Sequence, residues 1–329
     1  MQGAVREIAL EIVRADGERM PVLVNSTLRT DADGATIGIR TAIFGAHDRR
    51  EYERELLRAR DREQEARERA EVLQRTMGRL ADENSKLYER ERGVARTLQA
   101  SLLAGDPPRD PRLAVAAHYS PALGELEVGG DWHDALQLDD DRVALAVGDV
   151  VGRGIEAAAT MGQLRSAVRA LAGTLLTPAG LLAELDTFVG RVERAWMATL
   201  AYAEVDLGRG RLRYACAGHP PPLLIEPGEQ PRMLWDGRSA PLGTQRSESP
   251  RVEGTLDLAP GARLLLFSDG LVERRYRSLD DGLAELVELV DSHRDAPLAA
   301  LVDEVPQAMM LDGLVDDDVC LLACELVDG

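Results

Sequence analysis

The 329-residue sequence contains few cysteines and no long run of apolar residues. Its three cysteines, Cys216, Cys320 and Cys324, do not form a paired framework, and the last two alone make a poor zinc signature. Such usage is typical of a reducing compartment. No apolar run approaches the roughly 20 residues that cross a bilayer, and residues 1–10 lack the pattern of a signal peptide. We therefore expect a cytoplasmic protein without a membrane partner.

Positive charge is also scarce. Lys and Arg number 39 against 57 Asp and Glu, which gives a formal net charge of −18. Such a surface repels phosphate backbones and argues against nucleic-acid binding. No GxGxxG or GxxxxGK[ST] segment opens a helix, so a nucleotide-binding interpretation has no anchor. The length predicts roughly two or three structural units.

Residues 1–47 have the pattern of three short strands separated by tight turns. Ile8, Leu10 and Ile12 alternate with polar neighbours, and the segment 15–18 is a hairpin-turn signal. Three strands of this size make a poor independent fold. The phrase VRADGERMPVLV resembles the C-terminal strands of a PAS sensor domain, which implies a partial PAS-like sensor segment. The alternative is a strand cap that supports the next helix.

Residues 48–103 carry a heptad pattern within an Arg- and Glu-rich surface, as in a coiled coil. The a positions are Leu56, Glu63, Ala70, Met77, Asn84, Glu91 and Leu98, and the d positions are Ala59, Ala66, Leu73, Leu80, Leu87 and Val94. Asn at an a position favours a two-stranded parallel coil. We expect a homodimer through residues 52–101. The alternative is one amphipathic helix that packs against the segment that follows it in the same chain.

Residues 104–329 alternate pairs of strands with pairs of helices. This order predicts an α+β sandwich, with helices outside stacked sheets, and disfavours a doubly wound parallel sheet. Strands are expected at 113–119, 143–147, 197–205, 212–217, 252–258, 263–267 and 319–326. Helices are expected at 155–175, 178–192, 279–289 and 297–311.

Aspartates stand where the apolar strands of this segment end or turn: Asp131, Asp149, Asp269 and Asp317. A carboxylate at the end of a buried strand is costly unless a positive charge compensates it. Carboxylates without clustered His or Cys suit hard cations such as Mg²⁺ or Mn²⁺. Each motif alone is weak, because Asp-Gly after a strand is also an everyday turn. Their combination in this order predicts a metal site.

The same segment resembles the PPM-type metal-dependent protein phosphatases, in the branch of stage II sporulation protein E and the sigma-factor-regulating phosphatases. The resemblance rests on collinear phrases between residues 98 and 322: LQASLLAGDPP, YSPALGELEVGGDWHDAL, GDVVGRGIEAAATMGQLR, AGHPPPLL, APLG, LLLFSDGLVERR and DDDVCLL. The family fold is a β-sandwich flanked by helices. The resemblance implies a protein serine/threonine phosphatase that uses two divalent cations, Mn²⁺ or Mg²⁺, to activate water.

The resemblance also implies roles for individual residues. Asp149 would bridge the two metals, with the carbonyl of Val150 as a further ligand, and Asp131 would serve one metal partly through water. Asp269 and Asp317 would hold the other metal. The run 316–318 leaves a one-residue ambiguity in the last ligand. The implied substrate is a phosphoserine or phosphothreonine on an anti-sigma-factor antagonist.

Two motifs depart from the family pattern. Trp132-His133-Asp134 replaces the usual Trp-Tyr-Asp, and Gly152-Arg153-Gly154 replaces Gly-His-Gly. Arg153 would either bind the substrate phosphate or form a surface ion pair. His133 and His219 are candidate proton donors, although His219 is better explained as a turn-fixing residue.

Two other function classes compete with the phosphatase. One is a non-catalytic dimeric signalling scaffold with a vestigial site, which intact aspartates disfavour. The other is a nucleotide cyclase, because GGD superficially resembles the diguanylate cyclase signature. Trp132 and His133 stand where that signature has Glu and Phe, which argues against it.

Overall fold

A computed structural model describes most of the chain. The described residues are 4–32, 34–103, 107–121, 129–174, 176–192, 195–244, 249–274, 277–310 and 317–327, without the side chains of 47–50, 52, 91–92 and 94–103. The expected domain start at 104, the ends of the helices expected to reach 175 and 311, and Asp316 lie outside them. The chain forms two compact units, residues 1–84 and 85–329.

The first unit begins with the three-stranded antiparallel sheet that the turns predict. Its strands are β1 (Ala4–Val13), β2 (Arg19–Thr30) and β3 (Thr36–Gly45), in that order. Gly17 turns the first hairpin with φ of 87°, a conformation that glycine adopts without strain. Val22 at the centre is fully buried, while Ile8 and most other apolar side chains are exposed. The PAS relationship stays a prediction.

One helix, α1 (His47–Leu103), fills the predicted coiled-coil segment without a break. Its 57 residues make it about 85 Å long. Between residues 51 and 90 the apolar heptad side chains are exposed, Leu73 and Met77 by 61% and 62%. The continuous helix is confirmed, and the two-stranded coil stays a prediction. None of the described helices combines the length and apolar character needed to cross a bilayer.

The second unit is built around two sheets. The six-stranded sheet contains β5 (Trp132–Gln137), β6 (Arg142–Asp149), β7 (Thr199–Asp206), β8 (Arg211–Ala217), β11 (Arg238–Ser239) and β12 (Gly254–Asp257). The five-stranded sheet runs in the order β10 (Arg232–Met233), β9 (Leu223–Ile225), β13 (Arg263–Phe267), β14 (Val319–Leu326) and β4 (Leu113–Ser120). Except for β11 with β8, neighbouring strands are antiparallel.

Helices cover the outer faces of both sheets. Helices α2 (Ile155–Leu171) and α3 (Pro178–Val189) pack on the six-stranded sheet, and α4 (Leu279–Ser292) and α5 (Leu298–Met309) pack on the five-stranded sheet. A third apolar core fills the space between the sheets. The predicted β-sandwich flanked by helices is confirmed.

Local chemistry explains where these helices begin. The Thr177 hydroxyl accepts a hydrogen bond from Gly180 N at the start of α3, and Pro178 occupies the first helical position. The Ser278 hydroxyl caps α4 in the same way by accepting from Asp281 N. Capping supplies acceptors for amide groups that have no partner inside the helix.

The sequence prediction was wrong in several details. Strand β5 and the short strands β9 to β11 were not expected. Strand β7 begins at Thr199 because Met197 has φ of 67° and its amide donates to the Leu242 carbonyl, outside the strand ladder. Helix α2 ends at Leu171, where Ala172 is extended.

A buried ion-pair cluster joins β5 to α2. Asp134, which is 4% exposed, accepts from Arg169 Nε at 2.6 Å and from Arg165 Nη2 at 3.1 Å. Both Arg165 and Asp134 are buried, and burial lowers the pKa of Arg165. Removing the carboxylate would therefore leave a buried guanidinium without its counter-charge.

We expect Asp134→Ala to lower the free energy of unfolding by about 3–5 kcal/mol, because breaking a buried pair leaves an uncompensated charge. Urea denaturation followed by circular dichroism measures the loss. Asp257→Ala is the matched control, since Asp257 pairs with Arg211 at 3.0 Å on the surface and exposed pairs contribute about 1 kcal/mol or less. Equal losses in the two variants would contradict the assignment.

Candidate metal centre

The topology brings the predicted aspartates to one end of the sandwich. Asp131 immediately precedes β5 and Asp149 is the last residue of β6, and these strands are paired antiparallel neighbours. Asp269 opens a 3₁₀ turn just after β13, and Asp317 lies just before β14, which pairs with β13. Each sheet therefore contributes two carboxylates. Strand ends far apart in sequence meet because adjacent antiparallel strands start and finish side by side.

Two glycines allow the backbone to approach this end closely. A Cβ atom on Gly130 would lie 2.1 Å from the Val150 carbonyl oxygen and 2.9 Å from Asp149 Oδ1. A Cβ atom on Gly129 would lie 1.0 Å from Asp318 Oδ2. A side chain at position 130 would require a backbone shift, and one at position 129 would require the Asp318 side chain to move. The Val150 carbonyl and the Asp149 carboxylate thus stand beside the same turn, as a shared set of oxygen ligands requires.

The carboxylates raise one another's pKa. Burial and the neighbouring Asp149 raise the pKa of Asp131 well above its usual value, and Asp131 Oδ2 is buried with no hydrogen-bond partner among the described residues. Burial and Asp269 raise the pKa of Asp149 to about 7. Burial and Asp317 raise that of Asp269. The shifts favour the neutral acids, and a bound cation would supply positive charge that stabilises the ionised forms.

The donor set fits a hard cation. It consists of carboxylate and carbonyl oxygens, which Mg²⁺ and Mn²⁺ prefer. Asp149 interacts with both Asp131 and Asp269, so it links the carboxylates of the two sheets. Among the residues that the structure describes, no three His, Cys, Asp or Glu side chains already form a coordinating group. The chemistry of these donors fits an oxygen-rich cation site.

Asp317 and Asp318 have different environments. The Asp317 side chain is 60% exposed and lines the same cleft as Asp269. Asp318 is 3% exposed, accepts from the Tyr119 hydroxyl at 3.0 Å and contacts the Gly129 turn. This geometry favours Asp317 over Asp318 as the residue that faces a ligand. Asp316 is outside the described residues.

A cleft of about 490 Å³ opens beside Asp269 and Asp317. Arg153 lines it and lies 3.5 Å from Asp317, with both side chains more than half exposed. Arg274 and Arg277 also line it, but Arg274 donates to the Gly270 carbonyl at 2.7 Å. The ion pair expected as one alternative for Arg153 is present. Because its partner is Asp317, the pair does not exclude a role for Arg153 at the site.

Neither candidate histidine is among the described residues that line this cleft. His133 Nδ1 lies 3.4 Å from Cys320 Sγ, and burial lowers the pKa of His133. His219 is 3% exposed, and burial lowers its pKa to about 4, so the ring is neutral. His219 Nδ1 lies 2.7 Å from the hydroxyl of Thr199, the residue opposite Asp149 in the ladder. This placement favours the structural explanation for His219.

Sequence reasoning missed the polar residues that support the aspartates. Ser268 is fully buried, and its hydroxyl accepts from Cys320 N at 2.9 Å, which joins the end of β13 to β14. Thr199 was not singled out either, and Asp318 was considered only as an alternative metal ligand. The usable signal was a serine directly after the apolar run LLLF of β13, where a buried polar side chain must find a partner.

Comparison with known proteins gives one family and several relatives. The model of the stage II sporulation protein E (SpoIIE) family matches residues 139–327. Phosphoserine phosphatase RsbP of Bacillus subtilis is 28% identical over 92% of this chain and 77% of its own length. Phosphoserine phosphatase RsbU of the same species is 25% identical over 70% of this chain and 68% of its own length.

Solved structures share the fold. The crystal structure of the RsbU and RsbW domains of Rv1364c from Mycobacterium tuberculosis is 35% identical, with a TM-score of 0.60 over 65% of this chain and 60% of that one. The phosphatase domain of SpoIIE from Bacillus subtilis, with a regulatory fragment, is 16% identical with a TM-score of 0.57 and supports the fold alone. The chain therefore belongs to the stage II sporulation protein E family of PPM-type protein phosphatases, the family that its motifs resemble.

Proposed function

We propose that this chain hydrolyses phosphoserine or phosphothreonine in a protein, in a reaction that depends on two divalent cations. The observation that carries the proposal is the position of four aspartates at strand ends on one end of the sandwich, with Asp269 and Asp317 lining an open cleft. Membership of a phosphatase family and the names of its relatives support the same reaction class. A non-catalytic scaffold would gain nothing from the costly burial of Asp131 beside Asp149.

Individual residues would divide the work of holding the cations. Asp149 would bridge them, since it interacts with carboxylates from both sheets. Asp131 and the Val150 carbonyl would complete the side nearest the Gly130 turn, and Asp269 and Asp317 would hold the side that faces the cleft. The cations, Mn²⁺ or Mg²⁺, would lower the pKa of water and offset charge on the phosphoryl oxygens.

Arg153 would orient the substrate phosphate. Its guanidinium is half exposed in the cleft, 3.5 Å from Asp317. A planar guanidinium can donate two parallel hydrogen bonds to phosphate oxygens. An incoming phosphate would therefore compete with Asp317 for the guanidinium. Arg153 could therefore bind the substrate phosphate from its present position in the cleft, without a backbone movement.

The proposed substrate is a phosphorylated anti-sigma-factor antagonist, and the proposed setting is the cytoplasm. The substrate class rests on the resemblance to the sigma-factor-regulating branch. The setting rests on cysteine usage. We further propose that the chain forms a homodimer through residues 52–101, because an exposed row of apolar heptad side chains along α1 is stable only when covered.

Asp149→Asn should lower Mn²⁺-dependent hydrolysis of p-nitrophenyl phosphate by roughly 100-fold or more, because the proposed bridging carboxylate loses its charge. It should also abolish the rise in melting temperature that Mn²⁺ gives the unaltered protein, since an ion bound only by the folded state stabilises it. Asp257→Asn, which alters an exposed carboxylate on β12, is the control. Unchanged hydrolysis and unchanged stabilisation in Asp149→Asn would refute the metal site and favour the scaffold.

Arg153→Lys should raise the KM for a phosphoserine peptide about 10-fold and change kcat much less, because Lys keeps the charge but cannot form the bidentate pair. Steady-state kinetics at saturating Mn²⁺ measure both constants. Arg209→Lys is the control, since Arg209 is exposed and pairs with Asp206 on a turn. If KM does not change, Arg153 forms a surface ion pair only.

Replacing Leu73 and Leu80 together by Arg should convert the proposed dimer to a monomer, because charges at d positions cannot be buried in a two-stranded seam. Sedimentation equilibrium gives the mass. Val72→Arg is the matched control, since Val72 is as exposed as Leu73 but lies outside the heptad seam. A monomeric unaltered chain, or dimers in all variants, would rule out this interface.

A further inference from the structure

A second groove lies next to the acidic cleft and shares Arg153 with it. Its volume is about 310 Å³, and its lining includes Val151, Arg153, Glu156, Thr160 and Trp196. We call it the Trp196 groove. Its two large apolar side chains are open to solvent, with Val151 64% and Trp196 56% exposed. Exposed tryptophan is unusual on a protein surface and is enriched where partners bind.

Trp196 is held firmly although it is exposed. Its indole Nε1 donates to the Gly243 carbonyl at 3.3 Å, and the next residue, Met197, donates its amide to the Leu242 carbonyl at 2.9 Å. A Cβ atom on Gly243, whose φ is 78°, would lie 2.8 Å from the Trp196 ring. Met197 itself adopts φ of 67°, a conformation that costs energy in a residue with a side chain. The exposed position of the Trp196 ring is therefore accompanied by a strained backbone at Met197.

A buried salt bridge fixes the loop under the ring. Arg251 Nε donates to Asp186 Oδ2 at 2.9 Å, while Gly243 N donates to Asp186 Oδ1 at 2.8 Å. Arg251 also donates to the carbonyl of Pro241 at 3.3 Å. The APLG segment, residues 240–243, is therefore held by side-chain charge at several points. Gly243, the last residue of this segment, accepts the hydrogen bond from Trp196 Nε1.

We propose that the Trp196 groove binds an apolar side chain of the phosphoprotein substrate, close in sequence to the phosphorylated residue. This inference rests on the proposed phosphatase function. Because Arg153 lines both the cleft and the groove, a chain whose phosphate is in the cleft can place a neighbouring side chain in the groove. Extended polypeptide covers about 3.3 Å per residue, so the length of one arginine side chain places the apolar residue about two or three positions from the phosphoserine.

The other exposed tryptophan of the domain that the structure describes provides a contrast. Trp235 is 48% exposed, but Arg238 lies over its ring at 4.7 Å. Its face is already covered by a cation, and it does not line the Trp196 groove. Exposure alone therefore does not define the site. The site is defined by the combination of the exposed Trp196 ring, the strained backbone at Met197 and Arg153, which lines both the cleft and the groove.

The test uses synthetic phosphoserine peptides in which one leucine is moved from position −3 to position +3 on a Gly/Ala background. The full chain with saturating Mn²⁺ should prefer leucine at one or two positions, by roughly ten-fold in kcat/KM, as burial of one apolar side chain supplies. Trp196→Ala and Val151→Ser should each reduce this preference to less than two-fold. Trp235→Ala should retain it.

The outcomes separate the two proposals. If the unaltered chain hydrolyses neither the peptides nor p-nitrophenyl phosphate, the phosphatase proposal fails and takes the groove proposal with it. If it hydrolyses the peptides without a positional preference, or if both groove variants keep the preference, only the groove proposal is overturned. If the groove variants keep the preference but differ in mass from the unaltered chain in sedimentation, the groove binds a second copy of the chain. This result would also overturn the groove proposal. Val151→Ser decides the matter if Trp196→Ala does not fold.

Discussion

The repulsion between buried carboxylates is the constraint that shapes the catalytic unit. Asp131, Asp149 and Asp269 each have a raised pKa because burial and a neighbouring acid oppose ionisation. A fold gains nothing in stability from such a cluster. Sheet pairing, the core between the sheets and the glycine turn must together hold the acids close, and a hard cation is the natural source of the missing charge.

Polar contacts next to the acidic residues help to hold the acids in place. Ser268 joins β13 to β14, and Asp318 occupies the space that a side chain on Gly129 would need. Asp134 with Arg169 ties the strand after Asp131 to the helix that follows Val150. The surfaces nearest the cleft are thus backed by buried hydrogen bonds and ion pairs. Such backing is what holds a functional site in one geometry.

Much of this organisation could be predicted from the sequence, and the reasons are local. Apolar runs mark β6, β13 and β14 because both faces of these strands are buried, and Asp149 and Asp269 are recognisable as acids at their ends. The order of the motifs identified the family. Strand β5 was missed because its six residues, WHDALQ, follow no regular alternation of polar and apolar side chains.

Other features depend on tertiary contacts, which the spacing of residues in the sequence does not reveal. Nothing in the sequence near Met197 signals a positive φ, which arises because Leu242 and Gly243 hold this turn from a distant loop. The difference between Asp317 and Asp318 depends on Tyr119, nearly 200 positions away. The glycine pair Gly129–Gly130 has a wider use. A methyl group at position 130 would collide with the Val150 carbonyl, so a related sequence with alanine there would need a different backbone at this end, whereas alanine at position 129 would require the Asp318 side chain to move.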